Sequence, residues 1–211
     1  MKIKLAFLFD KKNNFLSKYF KDLKINKKKY IKNSFYDSNK ISNYDVVFIL
    51  GYTKKLNNTF LKRNKLNLLV HESNLPKGRG MSPVQWQILE DINFIKVNLI
   101  EAVNKIDKGD IFGSGLLKLN GSELYDEIRK KQANITISLI KKFLKKYPKY
   151  KKKKQVGIPS YYMPRNKSHS ELNLNKTIKQ NFNLLRISNN EEWPAFFIYK
   201  KKRFIIKIYS E

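Results

Sequence analysis

Three short apolar runs constrain most strongly how this chain folds: IKLAFLF at residues 3–9, YDVVFILGY at residues 44–52 and LNLLVHES at residues 66–73. Each has the length and continuous apolar character of a strand buried on both faces. Between the first two, Phe15, Leu16, Tyr19, Phe20 and Leu23 recur at helical spacing, and a second helix is expected over residues 54–63. Strand and helix in alternation predict an α/β fold: a Rossmann-like, mostly parallel sheet with helices on both faces. Ligands of such sheets gather beyond the carboxyl ends of the strands, and His71 stands at one of those ends.

Further along, Ser82 and Pro83 are a cap and first position for a short helix, SPVQWQILE. Residues 93–102 and 111–119 read as two more strands, the second expected beside the His71 strand, and residues 122–146 as a long amphipathic helix whose stripe includes Leu124, Ile128, Ala133, Ile137, Leu139, Ile140 and Leu144. The prolines, glycine and lysine run of residues 147–159 break that pattern. The expected organisation is therefore a main domain over residues 1–150 and a small C-terminal subdomain over 151–211, ending in a β-hairpin at residues 195–209.

The chain carries 45 Lys and Arg against 17 Asp and Glu, a net charge of +28. Such a surface attracts polyanions without any dedicated site. The lysines are dispersed among abundant Asn and Ile, a pattern that coding-sequence bias also produces, so nucleic acid is not the expected partner. No cysteine is present, which removes disulfides, thiolate metal sites and a cysteine nucleophile from consideration. The first residues lack the apolar length of a signal peptide and no stretch has the length of a membrane span, so a cytoplasmic protein without membrane contact is expected. The two histidines have no ligand spacing, so no metal is expected.

A lone histidine at a strand end is a hydrogen-bonded structural residue or an acid–base group. His71 gains a candidate partner in DKGD, where Asp107 and Asp110 flank Gly109. A carboxylate beside an imidazole favours its charged form and fixes its orientation, which makes a useful acid–base pair near neutral pH. His169, in SHSE, reads as an exposed residue of a polar segment.

The whole constellation is more specific than its parts. It comprises His71, Ser73, Leu75, Pro76, Arg79, Gly80, Ser82 and Pro83, then Asp107, Gly109 and Asp110, the first aspartate coming 36 residues after the histidine. This resembles the signature of the folate-dependent formyltransferases, over most of residues 1–147. The resemblance implies transfer of a formyl group from 10-formyltetrahydrofolate to an amine, with His71 and Asp107 catalytic and Arg79, Gly80, Ile106 and Asp110 as folate contacts. The family usually has an asparagine two residues before the histidine, where this chain has Leu69. Asn67, Asn74 and Asn98 are the candidate replacements as oxyanion donor, with Asn74 favoured because it follows His71 in the loop.

The C-terminal sequence, IPSYYMPRNKSHSELN followed by FNLLRISNNEEWPAFFIYKKKRFIIKI, resembles the extension of sugar N-formyltransferases of the pseudaminic-acid type. Methionyl-tRNA formyltransferases carry a larger second domain, for which this chain has no room. The expected acceptor is thus a nucleotide-linked amino sugar in surface-glycan biosynthesis, with Lys11, Asn13, Tyr52, Met81, Tyr162, Arg165 and Trp193 as candidate contacts. Two alternatives stay open: another amine acceptor, such as a ribonucleotide amine or an aminoacyl group, or a non-catalytic relative that binds polyanions. A homodimer through the hairpin is also left open.

Overall fold

The computed structural model describes residues 1–10, 15–21 and 23–211. The three apolar runs form β1 (Ile3–Phe9), β3 (Val46–Leu50) and β4 (Asn67–His71), with β2 (Tyr30–Phe35) added at one edge and β6 (Phe94–Glu101) and β7 (Ile111–Lys118) at the other. The order is β2-β1-β3-β4-β6-β7. From β2 to β4 the pairs are parallel, whereas β6 runs antiparallel to both β4 and β7. The sheet is thus mixed, and β6 separates β7 from the His71 strand, where sequence spacing suggests direct neighbours. The strand β2 escapes an apolar-run reading because YIKNSF is half polar, as an edge strand allows.

Alternate residues divide the core by face. Leu5, Phe7, Phe9, Phe48 and Leu68 pack with α1 (Phe15–Lys21) and the long α4 (Tyr125–Lys146). Ala6, Leu8, Val47 and Ile49 pack on the other face with Phe60 of α2 (Asn58–Lys62). Val84 and Ile88 of α3 (Pro83–Leu89) cover the β6–β7 end, meeting Ile95, Val97 and Leu117. Pro83 is at the first turn as expected, but Ser82 sits at φ 54° and makes no side-chain cap.

The C-terminal part contributes a two-residue strand β8 (Tyr161–Tyr162), which pairs with β5 (Arg79–Gly80). After it come α5 (Ile178–Arg186), a helix the polar stretch does not announce, and the expected hairpin of β9 (Ala195–Tyr199) and β10 (Lys202–Ile206). Leu185, Ala195, Phe182 and Ile206 give this part its own small core. No helix among the described residues is long and apolar enough to cross a membrane.

The joint between α5 and the rest is polar. Arg186 is fully buried; its NH2 lies 3.0 Å from Glu123 Oε2, its Nε donates to the Glu123 carbonyl at 3.0 Å and its NH1 to Asn93 Oδ1 at 2.8 Å. Burial by itself raises the Glu123 carboxyl, but the contact with Lys131 and the backbone N–H of Asn120 outweigh it and hold the group below its ordinary range. That part of the stability is present above the ordinary carboxylate pKa of 4.5 and is lost as pH falls through the lower folded-state value. Arg186→Ala leaves a buried carboxylate without its guanidinium and should cost about 3–5 kcal/mol in denaturant unfolding. A tighter fit occurs at the turn between β6 and β7, where a Cβ on Gly109 would lie 1.8 Å from the Glu101 carbonyl oxygen. Gly109→Ala should destabilise by about 1–3 kcal/mol, read from the same unfolding curves, because backbone has to move.

Candidate active site

Because β1, β3 and β4 are parallel, their carboxyl ends open on one edge of the sheet, at Asp10, Gly51 and His71. Thr53 closes over this edge by donating its N–H and hydroxyl to Asp10. A cavity of about 440 Å³ lies there, lined among others by Tyr52, His71, Gly80, Met81, Ile106 and Asp107.

His71 is 5 % exposed, and both ring nitrogens face oxygen. Nε2 is 2.8 Å from the Gly78 carbonyl, and Nδ1 is 3.4 Å from Asp107 Oδ2. A carbonyl oxygen only accepts, so Nε2 carries a proton. The same Asp107 oxygen accepts the Gly80 N–H at 2.9 Å. Asp107 itself sits at φ 49°, in the left-handed region that Asp tolerates better than most residues.

The loops that carry these groups are tied by residues far along the chain. Gln155 Nε2 donates to the carbonyls of Asp107 (2.7 Å) and Gly109 (2.9 Å), while its Oε1 accepts from Arg79 NH2 at 2.6 Å. Gly80, at φ 102°, runs so close to Tyr162 that a Cβ would lie 2.3 Å from that carbonyl oxygen. On α3, Gln87 Nε2 donates to the Glu72 carbonyl at 2.7 Å, and Trp86 Nε1 to the Met163 carbonyl at 2.8 Å.

Several sequence-predicted contacts are placed elsewhere. Arg79 is buried on Gln155 and Tyr161 rather than lining the cavity, because its guanidinium anchors the C-terminal segment. Asp110 pairs with Lys152 at 3.1 Å. None of the three asparagines considered as oxyanion donors lines the cavity. Asn74 is exposed and accepts from Lys96, the Asn67 amide donates to the Leu61 carbonyl, and the buried Asn98 amide donates to the Ser73 carbonyl at 2.6 Å. Leu69 itself does line the cavity, on the His71 face of β4. Tyr162 donates to Glu90 at 2.7 Å and stacks on Trp86. Arg165 lies over Trp86 and donates to the His169 carbonyl, and burial, then the nearby Arg129, push its pKa down to about 10. Trp193 closes the turn before β9, its N–H donating to the Asn189 carbonyl, and lies outside the cavity lining. His169 is half-buried, its Nδ1 accepting the Asn166 N–H. Lys11 and Asn13 fall outside the described residues.

Several cavity residues have no counterpart among the sequence candidates, among them Glu72, Arg129 and Gln132. Glu72 is beside His71 and accepts from Gln132 of α4. Burial raises its carboxyl above the ordinary range, against the opposing effects of His71, Gln132 and Arg129. Among the described residues no group of three or more potential metal ligands is gathered.

No protein-family model matches the chain. Among curated proteins, the methionyl-tRNA formyltransferase of Finegoldia magna is 27% identical over 172 residues, 80% of this chain and 54% of that protein. The bifunctional polymyxin resistance protein ArnA of Wigglesworthia glossinidia brevipalpis is 28% identical over 166 residues, 77% of this chain and 25% of that one. The chain thus spans about half the length, or less, of these relatives. Among solved structures, methionyl-tRNA formyltransferase from Clostridium thermocellum superposes with a TM-score of 0.84 at 22% identity, covering 99% of this chain and 93% of that one. A likely sugar N-formyltransferase from Mycobacterium tuberculosis gives 0.78 at 14% identity, covering 100% and 98%. HypX from Aquifex aeolicus, in complex with tetrahydrofolic acid, gives 0.77 at 13% identity, covering 99% and 38%. At these identities the structures speak for the fold, and the sequence matches show a chain similar to formyltransferases over about four-fifths of its length.

Proposed function

We propose that the chain is a cytoplasmic N-formyltransferase that moves a formyl group from 10-formyltetrahydrofolate to the amine of a nucleotide-linked amino sugar. The observation that carries the reading is the His71–Asp107 pair, 3.4 Å apart on the wall of the cavity beyond β4. The cavity suits a folate. Met81, Val103 and Ile106, at 39%, 41% and 66% exposure, form an apolar lip on it, the kind of surface that a flat aromatic ring covers.

When bound, the folate supplies the electrophilic formyl carbon. The chain's own part follows from the protons. With Nε2 holding its proton against Gly78, a second proton at Nδ1 makes an imidazolium that faces the Asp107 carboxylate. Such a cation beside the formyl oxygen stabilises negative charge as it develops there. The Gly80 N–H keeps Asp107 Oδ2 aimed at the ring, so a proton exchanged between Nδ1 and Oδ2 stays within the pair. With Leu69 apolar and the three candidate asparagines outside the lining, this charge, rather than an amide N–H, is what acts on the formyl oxygen.

Lys54, Lys55 and Tyr52 line the same cavity and suit an anionic, hydroxylated acceptor. The C-terminal sequence likeness to sugar N-formyltransferases favours the nucleotide sugar. The second reading, an aminoacyl-tRNA acceptor, is favoured by the name of the Finegoldia magna relative and by the net charge of +28.

The test is formyl transfer from 10-formyltetrahydrofolate, with nucleotide-linked amino sugars and methionyl-tRNA as alternative acceptors. His71→Ala and Asp107→Asn should each lower turnover about 10²–10⁴-fold. Equal turnover in wild type and both variants contradicts the reading, and formylation of the tRNA alone moves it to the second acceptor.

A further inference from the structure

Glu72 follows His71, so strand alternation points the two side chains to opposite sides of β4. The side that Glu72 takes is that of α1 and α4, where Phe15, Gln85, Arg129 and Gln132 make a second wall of the same cavity. Arg129 is held there by its guanidinium over the rings of Phe15 (4.5 Å) and Tyr125 (5.0 Å) and by NH1 donating to Gln132 Oε1 at 2.8 Å. Gln132 in turn donates Nε2 to Glu72. The chain Arg129, Gln132, Glu72 therefore fixes a carboxylate on the cavity wall.

Glu72 is half-buried; withdrawing a carboxylate from water even in part is costly, and a neutral side chain would serve the contact with Gln132 equally well. An amine acceptor gives the charge a use. Near neutral pH an aliphatic amine is an ammonium without a lone pair, so attack on a formyl carbon requires a proton to leave first. His71 and Asp107, whose charge the formyl-transfer reading places at the formyl oxygen, already hold each other and Gly78 and Gly80.

The geometry points to Glu72 as the group that receives the acceptor's ammonium and takes its proton, an inference that rests on the formyl-transfer reading. One N–H bond of the ammonium breaks and its electron pair stays on nitrogen as the lone pair. An O–H bond forms on Glu72, and that proton later leaves to solvent through the mouth of the cavity. Formyl transfer to an ammonium costs its nitrogen two protons: Glu72 passes one to solvent, and the second would go to the folate nitrogen as it leaves, so the balance closes without another reactant. The charged groups whose fields reach Glu72 are His71 on β4 and Arg129 on α4. Both favour the carboxylate that must accept the ammonium, while burial favours the protonated form that follows.

The test uses the full chain and two probes, a dTDP-linked amino-dideoxyhexose and its hydroxyl counterpart, each titrated without folate. Wild type should bind the amine at least about tenfold more tightly than the alcohol. Glu72→Gln, which keeps the contact with Gln132, should bind both alike, while Glu72→Asp should keep a preference for the amine. In turnover, Glu72→Gln should lose about 10²–10⁴-fold in kcat/KM near neutral pH and recover as pH rises and the free amine forms unaided. An unchanged amine preference in Glu72→Gln, or equal loss of preference in the Gln and Asp variants, overturns the assignment. A wild type that prefers the amine yet forms no formylated product instead refutes formyl transfer and leaves the role of Glu72 in amine binding standing.

Discussion

The register of β4 governs the rest of the site. The strand is held between a parallel neighbour, with Ile49 opposite Leu69, and an antiparallel one, with Asn98 opposite His71. Strand side chains alternate with a period of two, so a slip of one residue would exchange the faces of Leu69, Val70, His71 and Glu72 together. The core opposes that slip, since Leu68 is fully buried against the α1 and α4 side and Leu69 packs with Ile49 and Ala102 on the other. Burial of ordinary leucines, at about 1.5–3 kcal/mol each, is therefore what aims the imidazole and the neighbouring carboxylate.

From that fixed end, the loops of the candidate site are shaped by the second half of the chain. Gln155 joins the carbonyls of Asp107 and Gly109 to the guanidinium of Arg79, and β8 pairs with β5 immediately before Met81. The candidate catalytic pair and the Gly78 and Gly80 backbone that holds it come from residues before 150, but the ties on those loops lie after it. Arg186, buried on Glu123, ties α5 to the start of α4, the helix that carries Arg129 and Gln132 to the cavity. An ion pair in that position contributes less to net stability than its Coulomb energy suggests. Its consequence for function is to fix the helix on which the second wall stands.

Much of this architecture is legible in the sequence, for identifiable reasons. Buried parallel strands leave continuous apolar runs, so β1, β3 and β4 announce themselves, and the Pro and Gly spacing around His71 and Asp107 carries the family likeness. The edge strand β2 carries no such run, and α5 hides in a polar stretch because it buries little apart from Leu185 and Arg186. Arg79 is expected as a folate contact from the family likeness, and nothing local in the sequence announces its partner, Gln155, which lies 76 residues away. Asn74 is close to His71 in sequence, but its side chain leaves the loop on the outside, with Lys96. Glu72 falls inside the third strand run and draws no notice there. The signal that could have found it is a carboxylate placed by strand alternation on the same side as Val70, where the core is otherwise apolar.

The account stands on a reaction that moves one carbon between two nitrogens, and following that carbon tests it most directly. With an isotopically labelled formyl group on tetrahydrofolate, wild-type protein and a nucleotide-linked amino sugar, magnetic resonance should show the label leaving the folate and appearing as a sugar formamide. Label that stays on the folate, or is released only as formate, with every amine acceptor offered would contradict it.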